Sequence, residues 1–298
     1  MNWNLFYYNF TLYKAETAMN TTLFTIVKYF LKQKKSPTRV PSQSQTIFWR
    51  SPFLTNDQAM SLIEQWLLKA ASLSSLFGDQ KRYVFPQVEL GLGERIVIPK
   101  VYRVRKLSQN LIAFAFSEAE RNCATQSYLF DRNVHVPWPA GVLNTYNNGW
   151  LTESIFFQER LPTKCVSYKE YLPTVQHLDP DLRKLFYIQL GHELAKLHFL
   201  GVYTEDTDQN MFVERLLDSS FRFHFFDFDN FYPWRYSTLR RTTHAIRHYT
   251  NSKHYTYSLD ELALFLDAYL ETRGKTHWRD YIVDDLKKRK PHMFSACD

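Results

Sequence analysis

One stretch constrains this chain more than any other. Residues 181–200 (DLRKLFYIQLGHELAKLHFL) repeat apolar side chains at Leu182, Leu185, Phe186, Leu190, Leu194 and Leu197, the spacing of one helical stripe. Gly201 follows as a C-terminal cap. A short polar run comes next, Thr204-Glu205-Asp206-Thr207-Asp208-Gln209-Asn210, then MFVE and the aromatic run FRFHFF, which ends in Asp227 and Asp229. A helix therefore delivers an acidic loop, and a strand built for burial ends in a carboxylate. A carboxylate at such a place is costly unless it has a partner or a task, so Asp227 is the leading candidate for function. The alternative for Asp206 and Asp208 is turn capping, a common use of Asp in loops, and His198 reads as a packed scaffold residue.

This order matches the needs of phosphoryl transfer, in which a protein supplies metal-holding oxygens, a cation on the phosphates and a carboxylate near the attacking hydroxyl. Asp206 is the favoured base, although Asn210 follows it by four residues. Glu205, from which Asn210 is five residues away, is the rival. Asn210 and Asp227, 17 residues apart, carry the hard oxygen donors that magnesium prefers.

The first half has a different texture. Residues 55–76 carry a helical pattern after a capping Thr55. The segments 81–90 and 94–107 read as a hairpin turning at Gly91 to Gly93, a helix follows over about 115–131, and 135–143 and 150–162 read as two further strands. Lys100, in the apolar run IVIPKVY, is the first choice for a phosphate-contacting lysine and Lys106 the second. Glu120 in the following helix could pair with it, with Glu118 in competition. Glu159, in the segment Gln158-Glu159-Arg160-Leu161, lies where adenine would meet backbone groups. Beyond residue 230, helices are expected over 236–248, 259–270 and 278–288. A small β-rich half with one helix followed by a mostly helical half is the plan of an α+β, bilobal protein kinase-like fold. The expected division is 1–45 as extension and linker, 46–162 as N-lobe, and 163–298 as helical C-lobe.

The loop LAKLHFLGVYTEDTDQNMFVE, the metal strand FFDFDNF, the segment SEAERNCATQSYLFDRNVHVPWPAGVL and the arginine-rich RYSTLRRTTHAIRHYT together resemble the lipopolysaccharide kinase (Kdo/WaaP) family, over roughly residues 80 to 285. The resemblance implies an ATP- and Mg2+-dependent kinase of a sugar hydroxyl on the lipopolysaccharide inner core, acting at the cytoplasmic face of a bacterial inner membrane. In it, Asp206 is the base, Asn210 and Asp227 hold metal, and Lys100, Glu120 and Glu159 serve ATP. The loop departs from the usual kinase spacing by one residue, so a catalytically inactive kinase fold that binds or regulates is the second reading. A small-molecule kinase of the aminoglycoside or choline type is the third.

Composition narrows the partners. The chain has 298 residues and a formal charge of +7, which favours an anionic partner, yet no nucleic-acid recognition motif is present and none is expected as a partner. Arg240, Arg241, Arg247 and the run from Lys287 to Lys290 could meet anionic core sugars. Three widely spaced cysteines speak against a disulfide framework and against a cysteine-based metal site. No export signal and no apolar run of about 20 residues are present. Residues 3–35, aromatic and ending in KQKK, fit a segment lying on an anionic membrane surface, the alternative being a helix packed on the body of the protein or a loose extension.

Overall fold

The computed structural model describes residues 38–39, 46–73, 83–84, 86, 88–103, 117–148, 150–203, 210–228, 239–249 and 258–289. The chain divides into two compact units, residues 1–131 with 137–160, and residues 132–136 with 161–298.

The first unit is built on an antiparallel sheet of seven strands among the described residues: β1 (Thr38–Arg39), β2 (Thr46–Arg50), β3 (Tyr83–Val84), β4 (Leu90–Leu92), β5 (Arg95–Arg103), β6 (Pro139–Asn147) and β7 (Trp150–Glu159). Their order is β1-β2-β6-β7-β5-β3, with β4 also paired to β5 as a hairpin through Gly93, at φ 61°. Strand alternation sends neighbouring residues to opposite faces, and here both faces are covered. Helix α1 (Asn56–Leu73) covers one, packing Leu62, Ile63 and Trp66 against Val97, Val101, Leu143, Ile155 and Phe157. Helix α2 (Glu118–Phe130) covers the other, where Ala119 and Cys123 meet Tyr102, Val142 and Phe156. Double burial explains why β6 and β7 read as nearly continuous apolar runs. Both helices begin with reciprocal caps, Thr55 with Gln58 and Ser117 with Glu120.

One difference from expectation lies in the stretch read as linker. Thr38 and Arg39 pair with Phe48 and Ile47 as a short edge strand. Pro37 and Pro41 flank it, and an edge is the position in a sheet that tolerates proline.

The second unit joins a three-stranded antiparallel sheet, β8 (Val166–Ser167), β9 (Met211–Arg215) and β10 (Phe221–Phe225), in the order β10-β9-β8, to helices α3 (Tyr168–Val175), α4 (Pro180–Phe199), α5 (Leu239–Tyr249), α6 (Leu259–Arg273) and α7 (Arg279–Arg289). Helix α4 is the centre. Its Gly191 lets α6 approach so closely that a Cβ there would stand 2.6 Å from the Phe265 carbonyl oxygen. It ends in a Schellman motif, with Gly201 at φ 77° and Val202 N–H donating to the Leu197 carbonyl at 3.2 Å. Rings of Phe186, Tyr168, Tyr171, Phe221 and Phe223 pack around its first half. Among the described residues no helix is long and apolar enough to cross a membrane.

Candidate functional site

In the second unit the hairpin register creates a site. Strands β9 and β10 pair from Arg215 with Phe221 to Met211 with Phe225, around the turn at residues 216–220. One step further along this ladder, Asn210 faces Phe226, whose N–H donates to the Asn210 carbonyl at 3.1 Å. The Asn210 side-chain amide then donates to the Asp227 carbonyl at 3.4 Å. The 17-residue interval between these two is thus set by the length of the hairpin. Since Asn210 donates through Nδ2, its Oδ1 is the hard oxygen it can offer to a cation. Asp227 is half-buried and sits at φ 60°, a left-handed conformation uncommon outside glycine. The buried Phe228 after it and the Phe226 hydrogen bond before it hold the backbone there. Strain of this kind persists only where the surroundings impose it, and it gathers at functional sites.

In the first unit, Lys100 and Glu120 belong to one sheet face. Lys100, Phe156 and Val142 form a row across β5, β7 and β6, and Tyr102, Ser154 and Asn144 form the next row. Lys100 is only 1% exposed, with Nζ 5.0 Å from the Tyr102 ring centroid. Glu120, 2% exposed, is fixed from two sides: Oε2 accepts the Ser117 N–H at 2.8 Å, and Oε1 accepts from Asn144 Nδ2 at 3.0 Å. The Ser154 hydroxyl donates to Asn144 Oδ1 and shares a hydrogen bond with the Ser117 hydroxyl. Glu118 lies half-buried in the first turn of α2, while Glu120 is the residue turned onto the sheet. Asn144, Ser154 and Ser117 complete the hydrogen-bond network around Glu120, and sequence reasoning missed them. The pattern Ser117-x-x-Glu120 is nonetheless a capping-box signature readable from the sequence.

Glu159 closes β7. Its N–H donates to the Trp138 carbonyl at 2.9 Å and its carboxylate lies 3.4 Å from Arg95 Nε, while the Arg160 N–H donates to Ile96. The sheet therefore uses both backbone donors, and an adenine contact from these two residues falls to their carbonyls. His198 is buried at the end of α4. It shares a 2.7 Å hydrogen bond with the Tyr269 hydroxyl and stacks on Tyr203, both of which also meet Arg273. Burial, helped by Arg273, pushes the imidazole well below its ordinary 6.5. Arg247 lies 3.7 Å from Asp285, which Arg289 also contacts, and Arg240 is exposed on α5. Glu205, Asp206, Asp208, Asp229, Lys106, Lys290, residues 3–35 and the side chain of Arg241 lie outside what the structure describes.

No family model matches the sequence, and no curated protein matches it. A solved structure, "WaaP in complex with acyl carrier protein", is similar in three dimensions: the TM-score is 0.53 at 11% identity, over 73% of this chain and 88% of that one. At that identity the likeness speaks for architecture alone, and the chain has a WaaP-like, kinase-like fold.

Proposed function

We propose that the protein is an ATP-dependent kinase that phosphorylates a sugar hydroxyl, Kdo or heptose, of the lipopolysaccharide inner core. The observation that carries this reading is the hairpin register, which brings Asn210 and a strained Asp227 together in a chain of WaaP-like fold. Their donor set fits magnesium, a hard cation that prefers oxygen ligands. Bound there, the metal would neutralise charge on the phosphates. Asn210 and Asp227 hold it, Lys100 serves the phosphates, and Glu120, clamped by Asn144 and Ser117, fixes the lysine's surroundings. Asp206 accepts the proton of the sugar hydroxyl, and the cationic side chains of α5 and α7 favour an anionic core oligosaccharide. The aromatic, basic N-terminal segment gives peripheral contact with an anionic membrane, where a lipid-anchored acceptor resides.

Purified protein incubated with ATP, Mg2+ and deacylated inner-core fragments is expected to add the mass of one phosphate. Asp206→Asn should lose far more turnover than Glu205→Gln with ATP affinity little changed, and a larger loss at Glu205 reassigns the base. Folded protein that binds ATP but transfers nothing to Kdo or heptose fragments overturns the inner-core kinase reading. It would favour the inactive binding module that the four-residue interval from Asp206 to Asn210 also suggests.

A further inference from the structure

A second cluster in the second unit has no part in this chemistry. Cys165, Glu214 and His224 bring one sulfur, one oxygen and one nitrogen within 4.8 Å of one another, the one such group of three among the described residues. Sheet register explains the meeting. Val166 pairs with Val213, so Cys165, one residue earlier, stands opposite Glu214. Glu214 pairs with Arg222, and His224 is two residues on along the same strand face. The three donors thus come from three neighbouring chain segments of one sheet, a rigid base for a site. Glu214 is 2% exposed and His224 is 9% exposed.

The hydrogen bonding also has the form of a ligand shell. His224 Nε2 and Glu214 Oε2 are 2.9 Å apart, near the separation of about 3.3 Å between two ligands bound at ~2.0 Å in a tetrahedral site. The other oxygen, Oε1, is held by Lys164 at 2.5 Å, and Arg222 lies 3.3 Å from Oε2. Outer partners of this sort commonly orient ligating carboxylates. Lys164 and Arg222 keep 60% and 38% of their side chains exposed, so water screens their repulsion of a bound cation. Without a cation, the thiol faces an unsuitable neighbour. Burial and the Glu214 charge push Cys165 up to about 11, so it stays protonated. His135, its ring 6.0 Å from that of His224, lies outside this group of three.

We propose that Cys165, Glu214 and His224 bind one divalent transition-metal ion, zinc by donor chemistry, with water completing a tetrahedron. A mixed sulfur, nitrogen and oxygen set suits zinc and disfavours magnesium and calcium, which take oxygen shells. Binding converts the thiol to a thiolate, releasing one proton, and moves the imidazole proton to Nδ1 as Nε2 takes the metal. The ion ties the segment before β8 to the hairpin whose far end carries Asn210 and Asp227. The cysteine spacing conceals such a site, because its partners lie across strands rather than along the chain.

The test is a Co2+ titration of the full-length, metal-stripped protein. One equivalent is expected to produce a cobalt–thiolate charge-transfer band that zinc then bleaches. Cys165→Ser should abolish the band, His224→Gln, which removes a direct ligand, should weaken binding by at least the roughly 10- to 100-fold that loss of an outer partner costs, and Cys123→Ser and Cys297→Ser should leave it intact. A folded wild type without the band, or a band that survives Cys165→Ser, overturns the proposal. In case Cys165→Ser fails to fold, alkylation of Cys165 in wild type supplies the same decision. Zinc should slow it, and indifference to zinc overturns the site.

Discussion

The two units fix their polar groups in opposite ways. In the first, Lys100 and Glu120 are almost wholly buried, and hydrogen bonds from Ser117 and Asn144 hold Glu120 in place. In the second, Asn210 and Asp227 stand half-buried past the end of a hairpin, positioned by register and by a left-handed backbone. Burial does the positioning in the first unit and the backbone does it in the second.

The largest expected effect breaks the second arrangement. Asp227→Ala should lower phosphoryl transfer by about a thousandfold or more, since a direct metal ligand is worth several kcal/mol in the transition state. Its melting should move only slightly, because few packing contacts depend on a half-buried carboxylate. Near-normal turnover in the folded variant would remove Asp227 from the site.

In the first unit, stability and activity should instead move separately with the choice of substitution. Glu120→Ala removes the capping-box partner and the closer of the two acceptors of buried Asn144 Nδ2, leaving the Tyr146 hydroxyl, which should cost about 2–3 kcal/mol in urea unfolding. Glu120→Gln keeps an oxygen for one of the two bonds, and glutamine also serves capping boxes. It should retain more stability than Glu120→Ala while turnover falls with the lost charge. Equal stability of the two variants would show that the clamp seen around Glu120 contributes little.

Much of this was legible in the sequence, for identifiable reasons. The α4 stripe, its Gly201 cap and the apolar runs of β5, β6 and β7 announce themselves because period and punctuation are local properties. The helices after residue 230 begin and end within about three residues of their expected limits. Helix α3 and strand β8 escaped notice because each is short and owes its form to packing against β9. The pairing of Asn210 with Asp227 was legible as an interval, whereas the conformation of Asp227 was not, since side-chain patterns carry little information about φ. The clamp on Glu120 was half legible. Ser117 lies three residues away, but Asn144 and Ser154 arrive from other strands, and only the fold brings them in.

Acid should separate the units again. All ten histidines of the chain fall within residues 132–136 and 161–298. Burial holds His198 well below 6.5, and His135 and His224 below it as well, the latter despite the opposing pull of Glu214. A depressed histidine leaves the folded state with fewer protons than the unfolded chain, so stability falls as pH drops below 6.5 toward the folded value. The first unit carries the opposite case. Burial raises Glu153 above 4.5, more than Arg103 lowers it, so this carboxyl favours the folded state as pH falls toward 4.5. Hydrogen exchange corrected for intrinsic rates, compared at pH ~7.5 and ~5.5, should show α4 and β10 losing protection relative to β5 and β7. Parallel loss in both units would contradict this assignment.

The smallest effect tests the backbone at Asp227 independently of any chemistry. At ordinary positions alanine is more stable than glycine by about 0.4–1 kcal/mol, because glycine has more freedom to lose on folding. At φ 60° the order should reverse: a Cβ carries a penalty of roughly 1–2 kcal/mol in the left-handed region, and glycine carries none. Asp227→Gly should therefore melt above Asp227→Ala, with a net difference of about 0.5–1 kcal/mol. Both should be equally inactive, because neither offers an oxygen to the metal. If Asp227→Ala proves the more stable of the pair, the left-handed conformation is not what positions this carboxylate, and register alone would have to place it.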